Sequence, residues 1–293
     1  MSRKNLTVAV ASGKGGVGKS MLASSLAMLL SREKNIIAVD ADVDAPNLHL
    51  WLGGVDQWDE KRDLSLTEKA KVIKPDFNCR NFKVPCQFGA ITCQDNGLKV
   101  NSFLCEGCGL CQQILGSEVI EMRTVVNGQL RIKKNIHGFN LISGKLSPGE
   151  TGSGKIVDEI IKKSRFFEAE ITLIDIPAGI GCPVTAGLKE ADVVILITEP
   201  TLTGKSDLKR ILSVVNEFNL PWWLVVNKFD LDLKMTKELI EFAGDQFLGK
   251  ISYDKKIFKV LSKLTPVVET NLKVKTELEK IKDRFYNGIY ESN

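Results

Sequence analysis

The stretch from Leu6 to Ser20 contains residues whose types and spacing could bind the phosphates of a nucleotide. Gly13, Gly18, Lys19 and Ser20 satisfy the pattern G-x-x-x-x-G-K-[ST]. In this pattern backbone N–H groups and a helix N-terminus face the phosphates, the lysine supplies a point charge and the hydroxyl ligates magnesium. The pattern therefore predicts a protein that binds a nucleoside triphosphate.

The segments on either side of the loop are those that a phosphate-binding loop needs. Leu6 to Ala11 form a short apolar run rich in β-branched residues, which predicts a buried strand. After Lys19, leucines recur on one face of a predicted helix. A chance glycine-rich turn is the alternative, and the strand before the loop and the helix after it disfavour this reading. The residues expected to contact the nucleotide are Gly13, Lys14, Gly15, Gly16, Val17, Gly18, Lys19, Ser20 and Met21.

An additional lysine, Lys14, directly follows the first glycine of the loop and gives the sequence GKGGVGKS. With this lysine the loop resembles the deviant phosphate loop of the MinD/ParA family, whose relatives include the nitrogenase iron protein. The resemblance implies a P-loop ATPase that uses ATP and magnesium. It also implies an ATP-dependent dimer, either a homodimer or a heterodimer with a related ATPase, in which Lys14 reaches the phosphates of the partner.

Two acidic segments follow predicted strands, and both resemble the switches of that family. Asn35 to Asp40 is a predicted strand that runs into DADVDAPN, where carboxylates occupy alternate positions. Such carboxylates are costly near one another unless a cation lies close by, and an acidic strand end in solvent is the alternative. The resemblance implies that Asp42 activates the attacking water. Asp175 ends the strand of LIDIPAGIG, where water-mediated magnesium coordination would give its carboxylate a partner.

Strands and helices alternate along most of the chain, which predicts an α/β fold with a doubly wound, mostly parallel sheet and ligands at the carboxyl ends of the strands. Residues 227–230 read as N-K-x-D, which is the guanine signature of many GTPases. Relatives in the MinD/ParA family place a matching asparagine on adenine. The resemblance therefore favours ATP, with Asn227 at the base.

Length, charge and apolar spans narrow the class of protein. The 293 residues suffice for one large domain or two smaller ones, and 43% of them are hydrophobic. The net charge of +4 comes from 40 basic and 36 acidic residues that are interspersed, so no nucleic-acid partner is expected. No apolar span is as long as the roughly 18 residues of a membrane helix, and the N-terminus lacks the pattern of a secretory signal. An apolar stripe in the predicted helix Leu272 to Tyr290 favours core packing over membrane targeting. We expect a cytoplasmic protein without stable membrane insertion.

Six of the seven cysteines lie between Cys79 and Cys111, which in a reducing compartment favours a metal site over disulfides. We expect an ATPase core at 1–70 and 135–293 with a domain inserted at 71–134. The insertion resembles a bacterial two-cluster ferredoxin, in which each C-x2-C-x2-C-x3-C-P half precedes a short apolar strand. Residues 87–91 and 117–121 would be those strands, and 125–132 is predicted to be a hairpin.

The ferredoxin resemblance also implies a ligand set for one 4Fe–4S cluster. In two-cluster ferredoxins the fourth cysteine of one motif ligates the cluster built on the other motif. Cys86 precedes QFGAI where the ferredoxin pattern has C-P-F-G-A-I, so it matches a fourth cysteine. The resulting four-thiolate set is Cys86, Cys105, Cys108 and Cys111. The second site would be empty because Leu115 stands at the other fourth position, and Cys79 and Cys93 would be dispensable. Zinc is the competing metal, since four thiolates also suit it.

Two functions are compatible with these features. In the first, nucleotide-dependent dimerisation controls an iron–sulfur centre that serves electron transfer or cluster delivery to a redox or iron–sulfur partner protein. In the second, the chain is a positioning or regulatory ATPase whose insertion only recognises a partner. The iron and sulfide content of anaerobically purified protein separates the two.

Overall fold

The computed structural model describes residues 5–79, 86–94 and 97–290. Parts of two predictions lie outside the described residues, namely the positions between Cys79 and Cys86 in the expected first ferredoxin motif and the first four residues of the N-terminus. The chain divides into two compact units. Unit 1 comprises Met1–Lys61, Leu130–Lys145 and Ser153–Asn293, and unit 2 comprises Arg62–Gln129 and Leu146–Gly152.

The described residues form thirteen strands and nine α-helices. The strands are β1 (Leu6–Ala11), β2 (Ile36–Asp40), β3 (Glu60–Leu64), β4 (Thr67–Val72), β5 (Ile91–Gln94), β6 (Gly97–Val100), β7 (Ile120–Val125), β8 (Gly128–Ile136), β9 (Phe139–Leu146), β10 (Ile171–Asp175), β11 (Val193–Thr198), β12 (Trp222–Asn227) and β13 (Phe247–Ile251). The helices are α1 (Lys19–Leu30), α2 (Leu48–Trp51), α3 (Leu110–Leu115), α4 (Ser153–Ser164), α5 (Cys182–Lys189), α6 (Leu202–Glu217), α7 (Leu233–Ala243), α8 (Lys256–Leu261) and α9 (Lys273–Tyr290).

The largest sheet has nine strands in the order β13-β12-β11-β1-β10-β2-β9-β8-β3. Its first seven strands in this order pair in parallel. The strands β2, β10 and β11 are buried at every residue, and their nearly continuous apolar sequences are typical of parallel strands covered on both faces. The predicted α/β fold with a mostly parallel sheet is confirmed.

One row of this sheet carries charged side chains. Asp175 is in register with Val10 on one side and with Asp40 on the other, and Asp40 is in register with Ser143. Both aspartates are the last residues of their strands, and both are fully buried. The register of the parallel strands therefore brings two acidic side chains to the same end of the sheet.

The C-terminal helix α9 belongs to the core of unit 1. Leu278, Ile281 and Phe285 are each at most 1% exposed and lie in the same apolar cluster as the residues of α1. The predicted core packing of this stripe is confirmed. Among the described residues, no helix is both long and apolar enough to cross a lipid bilayer.

Unit 2 contains two small antiparallel sheets, β4 with β7 and β5 with β6, together with the short helix α3. Its apolar core combines cysteines with aliphatic side chains. The buried members are Ala70, Cys79, Ala90, Leu98, Cys105, Cys111, Leu115, Val119 and Ile120. Three of these nine buried side chains are cysteines.

Two local predictions in this part of the chain are wrong. Residues 125–132 do not form a hairpin, because β7 ends at Val125 and pairs with β4, whereas β8 begins at Gly128 and belongs to the nine-stranded sheet. Residues 87–91 do not form a strand, because 87–89 are a turn in which the Gly89 N–H donates to the Cys86 carbonyl oxygen. The second expected strand, at 117–121, begins only at Ile120.

Asn127, between β7 and β8, is a fully buried junction within unit 2. Its side-chain amide donates to the Thr151 carbonyl oxygen at 2.9 Å and accepts from the Leu66 N–H at 2.9 Å. Its backbone N–H donates to Leu64, and its backbone carbonyl accepts from Ser147. A residue predicted as a turn instead ties together three segments of unit 2.

Asn127→Ala should lower the free energy of unfolding by about 1–3 kcal/mol, because it removes the side-chain hydrogen bonds of a fully buried residue to the half-buried Leu66 N–H and Thr151 carbonyl groups. Denaturant unfolding and hydrogen exchange at the Leu66 amide measure the effect. Asn216→Ala, at an exposed position of α6, is the matched control and should change stability by less than about 0.5 kcal/mol. An unchanged exchange rate at Leu66 would contradict the assigned hydrogen bond.

Candidate functional site

The phosphate loop connects β1 to α1 through a glycine that no other residue could replace without strain. Gly18 has φ of +93°, and a Cβ atom at this position would lie 2.4 Å from Nδ2 of Asn227. That amide nitrogen donates a 2.8 Å hydrogen bond to the Val17 carbonyl oxygen. The loop is thereby held against the end of β12, and α1 begins immediately after Gly18.

A cavity of about 290 Å³ lies beside the phosphate loop. It brings together eight of the site residues that the sequence predicts, namely Gly15, Gly16, Gly18, Lys19, Ser20, Met21, Asp42 and Asn227. Four residues predicted for the nucleotide site do not line it, namely Gly13, Lys14, Val17 and Asp175. Val17 instead accepts the hydrogen bond from Asn227, and Asp175 contacts Lys19.

Lys19 is the centre of the charge arrangement in this cavity. Its Nζ atom lies 2.7 Å from Oδ1 of Asp175 and 4.0 Å from Oδ2 of Asp42. The Lys19 side chain is 8% exposed and the Asp175 side chain is completely buried, so the pair is shielded from solvent. The Lys19 ammonium group therefore interacts with the carboxylate that ends β10 and with a second carboxylate that follows β2.

The carboxylates around Lys19 outnumber it. Oδ2 of Asp40 accepts a hydrogen bond from the Leu48 N–H at 3.1 Å. Oδ1 of Asp40 and Oδ2 of Asp175 are buried without a hydrogen-bond partner among the described residues. Burial, followed by the charge of Asp175, raises the pKa of Asp40 well above its ordinary value, and burial also raises the pKa of Asp42. A divalent cation is the type of ligand that would satisfy these oxygens and favour their ionised forms.

The second lysine of the loop lies in a different environment. The Lys14 side chain is 29% exposed, and its Nζ atom lies 3.5 Å from Oε2 of Glu199 and 3.3 Å from Oγ1 of Thr203. Glu199 also pairs with Lys228 through its other carboxylate oxygen. The two lysines of one loop are therefore engaged on different groups, Lys19 in the buried cavity and Lys14 near the surface.

The remaining wall of the cavity was not predicted from the sequence. It includes Asn47, Trp51, Lys228, Ser252, Tyr253, Asp254, Ile257 and Phe258. Residues 252–254 directly follow β13, so the rule that ligands bind at the carboxyl ends of parallel strands was the signal that could have found them. Trp51, Ile257 and Phe258 give this wall an apolar surface of the kind that accepts a planar base.

Asp230 does not act as the literal N-K-x-D pattern requires. Its Oδ1 atom accepts a 2.7 Å hydrogen bond from the Tyr253 N–H, and Asp230 is not among the residues that line the cavity. Asn227 does line the cavity, and its Oδ1 atom accepts from the Lys228 N–H at 2.9 Å. Asn227 and Lys228 of the pattern therefore line the cavity, and Asp230 does not.

Unit 2 contains a second, small cavity of about 40 Å³ that is lined by four free cysteines. They are Cys86, Cys105, Cys108 and Cys111, the set that the sequence predicts. The Ala70 N–H donates to Sγ of Cys105 at 3.3 Å, a contact that suits a thiolate. Burial raises the pKa of the Cys111 thiol, and the neighbouring Cys105 and Cys108 raise it further. A bound metal would favour the deprotonated form of the Cys111 thiol.

A zinc ion and a 4Fe–4S cluster require different spacings of their cysteine ligands. Among the described residues, no three His, Cys, Asp or Glu side chains are grouped closely enough to hold one metal ion. A tetrahedral zinc ion needs its sulfur ligands about 2.3 Å from one point. In a 4Fe–4S cluster each thiolate binds a different iron at the corner of a cube, so its ligands stand farther apart. The four free thiols that line one cavity are the donor type that either group uses.

Cys79 and Cys93 form a disulfide bond. The expectation that the crowded cysteines favour a metal site over disulfides is wrong for this pair. The physical reason is that antiparallel pairing places β5, which carries Cys93, against β6, whose Leu98 N–H donates to the Pro75 carbonyl oxygen four residues before Cys79. This contact between segments distant in sequence brings the two cysteines within bonding distance.

Residues 8–267 match the family model described as the CobQ/CobB/MinD/ParA nucleotide binding domain. An uncharacterized protein of Methanocaldococcus jannaschii is 35% identical to this chain, over 97% of this chain and 98% of its own length. The iron-sulfur cluster carrier protein of Pyrococcus abyssi is 23% identical, over 89% of this chain and 78% of its own length. The septum site-determining protein MinD of Pyrococcus horikoshii, solved with Mg-ADP, superposes with a TM-score of 0.62 over 99% of both chains at 16% identity.

The parallel sheet and the loop between β1 and α1 define a P-loop nucleotide-binding protein. The chain belongs to the CobQ/CobB/MinD/ParA family of nucleotide-binding domains. It is a P-loop ATPase of this family.

Lys19→Ala should abolish ATP binding and also lower stability by about 3–5 kcal/mol, because it leaves the buried carboxylate of Asp175 without its counter-ion. The double variant Lys19→Ala/Asp175→Asn removes that charge, so it should recover most of the stability but none of the ATP affinity. Denaturant unfolding and titration calorimetry with ATP and magnesium measure the two properties separately. Wild-type ATP affinity in either variant would show that Lys19 does not meet the phosphates.

Proposed function

We propose that this chain is an ATP-hydrolysing switch protein whose nucleotide-dependent dimerisation is coupled to a 4Fe–4S cluster. The observation that carries the proposal is that four free cysteines line one cavity of unit 2 in a chain whose unit 1 contains a P-loop ATPase site. When bound, the cluster would supply one-electron chemistry or serve as cargo for transfer. A redox or iron–sulfur protein is then the expected partner.

The proposed roles in unit 1 follow from the charges around Lys19. Lys19 would exchange its contact with Asp175 for the β- and γ-phosphates of ATP. Ser20 would ligate magnesium, and Asp175 would hold it through water, because this carboxylate keeps a buried oxygen without a partner. Asp42, with its side chain 21% exposed at the cavity, would position the attacking water.

Lys14 is the proposed intermolecular residue. Its partial exposure and its contact with side chains near the surface leave it available to a second molecule, whereas Lys19 is enclosed. A neighbouring nucleotide's phosphates would then compete with Glu199 for the same ammonium group. We propose that the dimer forms in this way, either between two copies of this chain or with a related ATPase.

The proposed base is adenine. Support comes from the apolar wall of the cavity and from Asp230, whose carboxylate is engaged by the Tyr253 backbone instead of facing the cavity. A guanine site built on N-K-x-D would need that carboxylate free for the base. Asn227 remains as the polar residue beside the base.

The proposed cluster ligands are Cys86, Cys105, Cys108 and Cys111, and the proposed ferredoxin-like insertion is the region 71–134 between the two parts of the ATPase core. Leu115 is 7% exposed within the core of unit 2, where the ferredoxin pattern would have another cysteine. Gly107 allows the cysteine segment to approach β4, since a Cβ atom there would lie 2.1 Å from the Glu68 carbonyl oxygen. The name of the Pyrococcus abyssi relative as an iron-sulfur cluster carrier also supports a cluster in this region.

A second candidate is a positioning or regulatory ATPase in which unit 2 binds a partner without a cluster. One observation favours it, namely that no three potential ligands among the described side chains are grouped closely enough for a single ion. The four free cysteines that line one cavity favour the cluster, so we rank this candidate second.

Lys14→Ala should retain ATP binding and lose ATP-induced association, because the cavity keeps Lys19 but the dimer loses its phosphate contact. Sedimentation with a non-hydrolysable ATP analogue tests this result, and calorimetry checks the binding. Lys209→Ala, which removes an exposed lysine of α6, is the matched control and should associate like the unmodified chain. Undiminished association of Lys14→Ala would limit Lys14 to a role within its own loop.

Cys86→Ala should reduce iron and sulfide bound by anaerobically reconstituted protein, leaving at most a three-iron form with an altered electron paramagnetic resonance spectrum. Cys182→Ala removes a free, exposed cysteine of unit 1 and should leave the iron content unchanged. Full iron content in Cys86→Ala would overturn the proposed ligand set. Stoichiometric zinc without sulfide in the unmodified chain would overturn the cluster and favour the second candidate.

A further inference from the structure

The two ends of the Cys79–Cys93 disulfide lie in different environments. Cys79 is 3% exposed and belongs to the core of unit 2 with Cys105 and Cys111. Cys93 is exposed on β5. A thiolate must reach a disulfide sulfur directly in order to attack it, so access selects the sulfur of Cys93.

The disulfide also separates the six cysteines of unit 2 into two sets. Cys79 and Cys93 are bonded to each other, and the other four are free thiols around one cavity. The disulfide pair thus contains its own two redox-active sulfurs, although free cysteines lie in the same core. Oxidation and reduction of Cys79 and Cys93 can therefore proceed without using a cysteine of the cavity.

We propose that Cys79 and Cys93 form a thiol–disulfide exchange site that accepts two electrons from a dithiol. One thiolate of the dithiol attacks Sγ of Cys93, the Cys79–Cys93 bond breaks, and Sγ of Cys79 leaves with the electron pair and takes up a proton. The second thiolate of the dithiol then attacks the other sulfur of the dithiol, which is bonded to Sγ of Cys93 in the mixed disulfide. This step releases Cys93, which takes up the second proton. The chain gains two thiols, and the dithiol leaves as a disulfide.

The surrounding structure supports a reversible reaction. The hairpin of β5 and β6 has strands of only four residues, which would be marginally stable alone. It is held to the segment before Cys79 by the hydrogen bond from the Leu98 N–H to the Pro75 carbonyl oxygen at 3.0 Å, and Leu98 is 2% exposed in the shared core. These contacts do not depend on the sulfur–sulfur bond. They keep Cys93 near Cys79 after reduction, so the same disulfide can form again.

The test uses the full chain, equilibrated in buffers of reduced and oxidised dithiothreitol, quenched with acid, alkylated and mapped by peptide mass spectrometry. Labelling at Cys79 and Cys93 should appear together in one two-electron transition and disappear together on reoxidation. Labelling that persists at both residues in oxidised buffer, absence of labelling in fully reduced buffer, or new disulfides that join either residue to Cys86, Cys105, Cys108 or Cys111 would each overturn the proposal.

Single variants test the direction of attack. With glutathione disulfide as the probe, Cys93 in Cys79→Ser should form a mixed disulfide at least about ten-fold faster than Cys79 in Cys93→Ser. Cys182→Ser is the matched control and should leave the redox transition of the pair unchanged. Equal rates at the two positions, or a faster rate at Cys79, would overturn the assignment of Cys93 as the attacked sulfur. Because no iron is required, a failed cluster reconstitution leaves this test intact.

Discussion

The nucleotide site depends on one buried ion pair, between Lys19 and Asp175. Removing an ion from water costs several kcal/mol even after the protein relaxes, and here the fully buried carboxylate of Asp175 has the enclosed ammonium group of Lys19 as its counter-ion. Burial, followed by the charge of Asp175, raises the pKa of Asp40, and one oxygen each of Asp40 and Asp175 is buried without a hydrogen-bond partner among the described residues. A nucleotide that brings both phosphates and a divalent cation would correct this imbalance from both sides, since the phosphates attract Lys19 and the cation attracts the aspartates.

The register of the sheet fixes this arrangement. Asp175 and Asp40 are paired neighbours at the ends of adjacent parallel strands, and β1, which feeds the phosphate loop, lies on the other side of β10. A slip of one residue would turn both aspartates to the opposite face of the sheet and separate them from Lys19. The close contact of Gly18 with Asn227 fixes the loop from the other direction. Packing constraints on two sides thus determine where the phosphates can bind.

The sequence was sufficient to predict a strand or a loop where the local pattern of residues agrees with the burial in the fold. Apolar runs predicted β1, β2 and β10, and the phosphate loop could be identified directly because its glycines and Lys19 form one local motif. Prediction from the sequence failed where a strand pairs with a segment that is distant in sequence. The turn-like Asn127-Gly128 is a junction between different sheets, and β4 was missed because its alternating polar sequence includes Lys69, which is buried and pairs with Glu150 at 3.0 Å.

The same limit applies to the two sites. The cavity wall at 252–254 was missed because its residues carry no motif and reach the site only through the position of β13. Cysteine spacing indicated four residues that do line one cavity, yet it could not show the disulfide, since partner choice depends on the fold of the β5–β6 hairpin. Sequence spacing reports which side chains have suitable chemistry. Tertiary contacts decide which of them meet.

The two lysines of the phosphate loop lie in different electrostatic environments. Lys19 is the first residue of α1 and is enclosed by carboxylates, so its charge is committed to the interior of its own molecule. Lys14 precedes the helix, keeps partial exposure and pairs with Glu199, which already has Lys228 as a second counter-ion. Loss of Lys14 from that contact would therefore leave Glu199 with one cation. Release of Lys14 should therefore cost less free energy than release of Lys19, which is consistent with the proposed contact of Lys14 with a second molecule.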